Sequence, residues 1–230
     1  GGGAAGPQTM RWGLENSRNL MTVRTASQVG MENVVRTYKT MGIGEYRPYL
    51  AFALGAGETT VSKLTNAYAM LVNNGHALTP KLIDYVQDRD GKVIFPLRWR
   101  PCTPCNAADW NGRPMPRFAQ SGRQLMDPIT AYQTVHMLEG VIQRGTAKLL
   151  RDLDRPVFGK TGTTTGPTDV WFVGGTPHFV AGVYLGFDRP RNLGGGAAGG
   201  TMAAPVFKEF ARAASIGVPP TPFIAPEGVR

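Results

Sequence analysis

The chain has 230 residues, is 42% hydrophobic, and carries 25 basic against 16 acidic side chains for a formal charge of +9. That size supports one substantial core. The basic residues are scattered rather than run together, which argues against a nucleic-acid arm and for an anionic partner such as a carboxylated substrate, a cell-wall polymer or a lipid surface. No apolar run reaches the length of a membrane span.

The opening Gly1-Gly-Gly-Ala-Ala-Gly-Pro7 has neither an initiator Met nor a signal-peptide pattern. It reads as an internal piece of a longer protein. Residues 8–30 predict two short helices, with Met10, Trp12 and Leu14 on the first and Leu20, Val23 and Val29 on the second. The break between them is Glu15-Asn16-Ser17-Arg18-Asn19. A third helix is expected over Met31–Met41, stopped by Gly42. Thr59 or Thr60 caps a fourth, with Val61, Leu64, Tyr68, Leu71 and Val72 on one face, ended by Gly75.

Asp90-Gly91 between Lys81–Val86 and Lys92–Phe95 signals a hairpin. Residues 96–126 read as an irregular insertion. Asp127-Pro128 opens a helix that ends at Arg144-Gly145, and Thr146 is placed to cap a short helix through Leu153. Three strands follow, Pro156–Thr163, Val170–Gly174 and Phe179–Phe187. A glycine loop at 194–200 leads to a last helix, Ala203–Ala214, and a Pro-rich tail, 215–230. The strand connections are too short for parallel crossovers, so the sheet is antiparallel. The expected fold class is α+β, with helices packed on that sheet. Gly1–Gly6 and Gly194–Gly199 share the string G-G-G-A-A-G, but their flanks differ and no repeat is inferred.

The two cysteines, Cys102 and Cys105, form a C-x-x-C in a Pro- and Arg-rich loop, not at a helix start. A disulfide, reduced thiols and a metal site all remain open, with a zinc site short of two ligands. His76, His136 and His178 lie far apart and read as surface or satisfied core positions. Trp171 and Phe172 read as core. No metal cluster, cofactor motif or nucleic-acid motif is found.

Phe158-Gly-Lys-Thr-Gly-Thr163 admits two readings. A phosphate loop needs a glycine five positions before Gly159, and Asp154 stands there. The run after it, Gly-Thr-Thr-Thr-Gly-Pro, is also a poor helix start. The other reading is a strand that presents chemistry. Lys160 supplies positive charge, Thr161 and Thr163 supply hydroxyls, and Gly162 lets a substrate backbone lie close. Such a set suits a carboxylate and a developing oxyanion. Ser17-x-Asn19 lies in a helix break, where a short polar segment can point into a cleft. Its plainer reading is a helix cap.

An S-x-N followed by a K-T-G occurs in that order in serine acyl-transfer enzymes of the penicillin-binding class, downstream of an S-x-x-K. The wider sequence resembles class A penicillin-binding proteins. The resemblance rests on Leu14-Glu-Asn-Ser-Arg-Asn-Leu-Met-Thr-Val-Arg-Thr-Ala26, Gly140-Val-Ile-Gln-Arg-Gly-Thr-Ala-Lys148, Gly159-Lys-Thr-Gly-Thr-Thr164 and Asp169-Val-Trp-Phe-Val-Gly-Gly-Thr-Pro177. The Gly-rich approach to Pro205 belongs to it as well.

The resemblance implies a partial β-lactamase/transpeptidase-like domain over residues 1–214 and a D-alanyl-D-alanine transpeptidase that cross-links peptidoglycan stem peptides and reacts with β-lactams. It also implies a membrane-anchored parent, with a glycosyltransferase domain, on the extracytoplasmic face of the envelope. Carried onto this chain, Ser17 relays a proton, Asn19 holds the substrate amide, and Lys160 sets the charge. Thr161 and Thr163 bind the substrate carboxylate, and the Thr163 N–H forms half of the oxyanion hole. One motif is missing: no S-x-x-K occurs in these 230 residues. The family order places that nucleophile upstream of Gly1. Rival readings are a β-lactamase or carboxypeptidase of the same fold, and a non-catalytic wall-binding relic. The acyl-transfer reading requires Ser17 Oγ and Lys160 Nζ to meet, and the K-T-G strand to lie at a sheet edge.

Overall fold

The computed structural model describes residues 6–95, 112 and 122–229. Most of the 96–126 insertion, with Cys102 and Cys105, lies outside the described residues.

Three helices open the chain: α1 (Met10–Glu15), α2 (Asn19–Val29) and α3 (Met31–Thr40). A 3₁₀ turn at Leu50–Leu54, which helical periodicity did not signal, precedes α4 (Val61–Val72). The start signals at Thr60 and Asp127 work as expected, and Thr9, not singled out in the sequence, caps α1 in the same way. Thr9 Oγ1 accepts the Trp12 N–H at 3.2 Å, and Thr60 Oγ1 accepts the Lys63 N–H at 3.2 Å. Asp127 Oδ1 accepts from the Ile129 and Thr130 N–H groups ahead of α5 (Pro128–Gln143). Each cap satisfies donors that the first helical turn leaves free.

The expected hairpin shrinks to β1 (Val86–Gln87) and β2 (Val93–Phe95). Residues 81–85 form no strand, and Leu82 and Ile83 are exposed. A two-stranded ribbon with no covering layer among the described residues gains too little burial to extend.

The main sheet runs β3 (Phe158–Thr163), β4 (Asp169–Gly175), β5 (Val180–Gly186), antiparallel throughout and in that spatial order. Its register aligns Lys160 with Val173 and Gly182, and Thr161 with Phe172 and Val183. Strand alternation therefore divides the sheet cleanly. Phe158, on the Lys160 face, packs against Tyr68 of α4, with α5 lying along β3. Phe172, on the opposite face, meets Phe207 of α6 (Ala204–Ala214) at 4.6 Å between ring centroids. The expected helix start at Ala203 falls in a π turn, Gly199–Ala203, that leads into α6. Phe158, Phe172 and Phe207 are fully buried with Val141 and Ile142 of α5, and Val135 and Leu138 of the same helix are buried beside them.

Two placements differ from sequence expectation. Phe172 is core, but Trp171 is only partly buried, on the Lys160 face beside Tyr184. Thr146 does not cap the 3₁₀ turn Lys148–Leu153: Ala147 holds that position without a side-chain cap, and the Thr146 hydroxyl is used elsewhere. The Pro-rich tail returns across the molecule, with Phe223 packed edge-on against Phe158.

Candidate active site

Ser17 lies in the turn that ends α1. The Arg18 N–H returns to the Gly13 carbonyl at 2.9 Å, and the Ser17 N–H to that of Leu14 at 3.2 Å. These two bonds make a Schellman termination, whose first residue past the cap adopts the left-handed conformation. Ser17 has φ +53°. Glycine usually fills that position because a Cβ costs about 1–2 kcal/mol there. A serine held at such a position suggests a use for its side chain. The helix-cap reading of Ser17 fails, because Arg18 is the N-cap of α2 and makes no side-chain cap bond.

The side chain of Ser17 meets β3. Lys160 Nζ donates to Ser17 Oγ at 2.8 Å across 143 residues of sequence, and also to the Thr161 carbonyl at 3.0 Å. Burial pushes the Lys160 ammonium down to about 8, because water is partly withdrawn from its charge and no carboxylate replaces it. Asn19 opens α2, exposed, with no side-chain hydrogen bond among the described residues.

Thr161, Gly162 and Thr163 lie on a strand margin without a second strand partner among the described residues. Among the described residues β3 pairs only with β4. The Thr164 N–H bonds to the Asp169 carbonyl at 3.2 Å, so alternation turns the Thr163 N–H outward from β4. The same alternation puts the Lys160 side chain on one sheet face and those of Thr161 and Thr163 on the other. The two sets reach a common ligand only around the strand edge.

Both hydroxyls are already oriented. Thr161 Oγ1 lies 2.6 Å from Thr146 Oγ1, and Thr163 Oγ1 accepts the Gly199 N–H at 3.0 Å. The Gly199 bond leaves the Thr163 O–H proton for an incoming acceptor, and the Thr146–Thr161 pair leaves one O–H proton between its two hydroxyls. A Cβ at Gly162 would approach Trp171 Cβ to 3.1 Å. The glycine therefore also relieves crowding from its cross-strand neighbour.

Sequence reasoning missed the support of the Ser17 turn. Glu15 is 3% exposed, yet its carboxylate takes two bonds from the Arg144 guanidinium, Nε to Oε2 at 3.1 Å and Nη2 to Oε1 at 2.5 Å. That bond raises the Arg144 pKa above its ordinary value. The Glu15 carbonyl accepts the Thr146 N–H at 3.3 Å. The only signal available was a glutamate two residues before the serine and an arginine at a distant helix end.

The histidines divide three ways. His136 pairs with Glu139 at the surface, and His178 Nε2 lies 2.9 Å from Thr221 Oγ1. His76 is not a satisfied core histidine: its Nδ1 is buried without a partner among the described residues. Among the described residues no His, Cys, Asp or Glu cluster has metal-site geometry, and no helix is long and apolar enough to cross a membrane.

A helix-layered antiparallel sheet whose marginal strand aims a lysine at a serine in a helix break is the scaffold of the penicillin-binding transpeptidases. The sequence profile of the penicillin binding protein transpeptidase domain matches residues 3–212, and the chain belongs to that family. It is similar to penicillin-binding protein 1A of Rickettsia bellii, 40% identical over 228 residues, covering 98% of this chain and 29% of that protein. Penicillin-binding protein 1A of Neisseria flavescens is 33% identical over 98% of the chain and 27% of its own length. The crystal structure of penicillin-binding protein 1A from Haemophilus influenzae superimposes with a TM-score of 0.82 at 25% identity, over 96% of this chain and 36% of that one. The chain thus spans less than a third of the length of the curated relatives it matches.

Proposed function

We propose that this chain forms the S-x-N and K-T-G walls of a serine-type D-alanyl-D-alanine transpeptidase that cross-links peptidoglycan. The observation that carries the reading is the Ser17–Lys160 hydrogen bond, which joins two motifs 143 residues apart at a free strand edge.

In the reaction, a serine hydroxyl attacks the penultimate D-Ala carbonyl of a stem peptide. The C–N bond breaks, terminal D-Ala leaves as an amine, and an acyl-enzyme ester remains. An amine of a second stem peptide then attacks the ester, forms the cross-link and releases the serine. Ser17 passes a proton toward the leaving amine, from a position where Lys160 is its donor. Lys160 has a reduced proton affinity, so it tunes this relay near neutral pH. The Thr161 and Thr163 hydroxyls take the substrate carboxylate, Thr161 donating its proton when Thr146 is the donor in the bond between them. The outward Thr163 N–H stabilises the oxyanion on the attacked carbonyl. Exposed Asn19 binds the substrate amide.

No serine within residues 1–230 has a lysine three positions on; in this reading the S-x-x-K nucleophile and its lysine base belong to the whole protein and not to these residues. We place the parent on the extracytoplasmic face of the membrane, with a glycosyltransferase domain. The curated relatives carry more than two-thirds of their length outside the matched stretch, which is room for such a domain.

Fluorescent penicillin tests the reading. The full-length gene product should form a denaturation-resistant adduct, and Lys160→Ala should abolish it. The 230-residue chain alone should stay unlabelled. With stem-peptide donor and acceptor, D-Ala release should accompany cross-linked product. Release of uncross-linked acid alone would assign a carboxypeptidase, and steady penicillin turnover a β-lactamase. Failure of the full-length product to label would remove the transpeptidase reading.

A further inference from the structure

We propose that the Glu15–Arg144 ion pair is the positioning device of this site, holding the Ser17 turn against α5 so that the Ser17 hydroxyl stays at Lys160. The inference rests on the transpeptidase reading for its chemical meaning, but its geometry stands on contacts within this chain.

The contacts form a closed circuit that begins and ends on β3. Lys160 bonds to Ser17, and Ser17 follows Glu15 by two residues in a single tight turn. Glu15 takes Arg144 on its carboxylate and the Thr146 N–H on its carbonyl. The Thr146 hydroxyl returns to Thr161, the neighbour of Lys160. Two of the side-chain links, Lys160–Ser17 and Arg144–Glu15, join residues more than 100 positions apart. If the Glu15 carboxylate link breaks, the Thr146 N–H bond to the Glu15 carbonyl remains at the turn, and the nearest side-chain bond to α5 is that of Arg11 to the His136 carbonyl, at the start of α1.

Space is reserved for the pair. A Cβ at Gly140 would overlap the Glu15 carboxylate, and a Cβ at Gly145 would overlap the Glu15 carbonyl. Stability alone is a weak reason to bury a carboxylate, since an apolar pair of the same volume often serves as well. A fork-shaped guanidinium on both carboxylate oxygens adds direction, because it fixes the carboxylate plane as well as its distance. Ser17 needs that direction. Its left-handed backbone relaxes readily, and a shift of about 1 Å in a reacting group can cost about 100-fold in rate.

The test reads Lys160 directly. Lysine ε-carbon NMR of the 230-residue chain, with the Lys160 signal identified from Lys160→Met, follows its titration in wild type, Glu15→Gln, Arg144→Met and the double variant. Freed from the Ser17 turn, Lys160 gains water, and its titration should move up from about 8 toward the ordinary lysine value of 10.5. The double variant should move it no further than either single one, since both break one link. Lys208→Met removes the Lys208–Asp152 salt bridge on α6 and should leave the titration in place. Variants that lose thermal stability while Lys160 titrates as in wild type would overturn the proposal, because a purely structural pair predicts that result. Glu15→Asp and Arg144→Lys provide the same comparison should the first variants fail to fold.

In the full-length gene product, penicillin acylation should fall about 100-fold in Glu15→Gln. Acylation at the wild-type rate in a variant whose Lys160 titration has moved would also overturn the proposal. An unlabelled wild type would sink the transpeptidase reading alone, since the titration is read without penicillin.

Discussion

The two halves of the site are built in different ways. The β3 half is backbone architecture: a strand laddered to β4, a fully buried Phe158 at its start, and an edge whose outward N–H groups follow from alternation. The α1–α2 half is a three-residue break, 16–18, whose key serine is in a left-handed conformation, secured by a distant arginine. The contrast shows where precision comes from. A strand carries its own geometry from residue to residue, whereas a turn between short helices must borrow rigidity from elsewhere in the chain.

Substitutions sharpen the comparison. The largest effect should come from the strand half. Phe158→Ala opens a cavity between α4, the sheet and Phe223, and should cost about 4 kcal/mol in urea unfolding. A cost below about 1 kcal/mol would mean that the strand is not anchored by its core.

In the turn half, Arg144→Ala leaves the Glu15 carboxylate buried without its partner. It should cost about 2 kcal/mol by the same measurement, less than a fully buried pair because the exposed Arg144 side chain leaves water access to the site. Arg144→Ala falling within error of wild type would place the turn's rigidity in the backbone alone.

Ser17→Gly should act in the opposite direction. Glycine accepts φ +53° without strain, so stability should rise by about 1 kcal/mol while penicillin acylation of the full-length product falls. A stability loss would show that the Lys160 bond outweighs the backbone cost.

The smallest effect is pH-dependent. The unfolded chain keeps the Lys160 proton up to about 10.5, whereas the folded chain releases it from about 8. The unfolded state binds more protons across that window, so stability should rise with pH there. The penalty is full below 8 and gone above 10.5. Lys160→Met lacks this titration, so wild type should gain on it as pH rises, by under about 1 kcal/mol because the ammonium keeps some water. A gap that stays constant from pH 8 to 10.5 would rule out burial as the cause.

Much of this was legible in the residues. Thr60 and Asp127 mark helix starts because a side-chain oxygen there satisfies free N–H groups locally. The short β4 and β5 connections force an antiparallel sheet. Lys160-Thr-Gly-Thr163 and Ser17-x-Asn19 name the site through their resemblance to a family. Thr146 shows the limit: as a cap it is reasonable on local grounds, yet its hydroxyl goes to Thr161. Trp171, adjacent to a core phenylalanine, falls on the opposite sheet face.

The sequence by itself determined the element order, the α+β class and the identity of the two motifs. Those depend on neighbours within a few residues, where hydrogen-bond satisfaction and alternation act. Only the tertiary structure decided that Lys160 reaches Ser17, that Glu15 is buried on Arg144, and that the Thr163 N–H faces an open edge. These contacts join residues more than 100 positions apart, or depend on which strand has a neighbour. Chain packing sets them, because no local propensity acts over such separations.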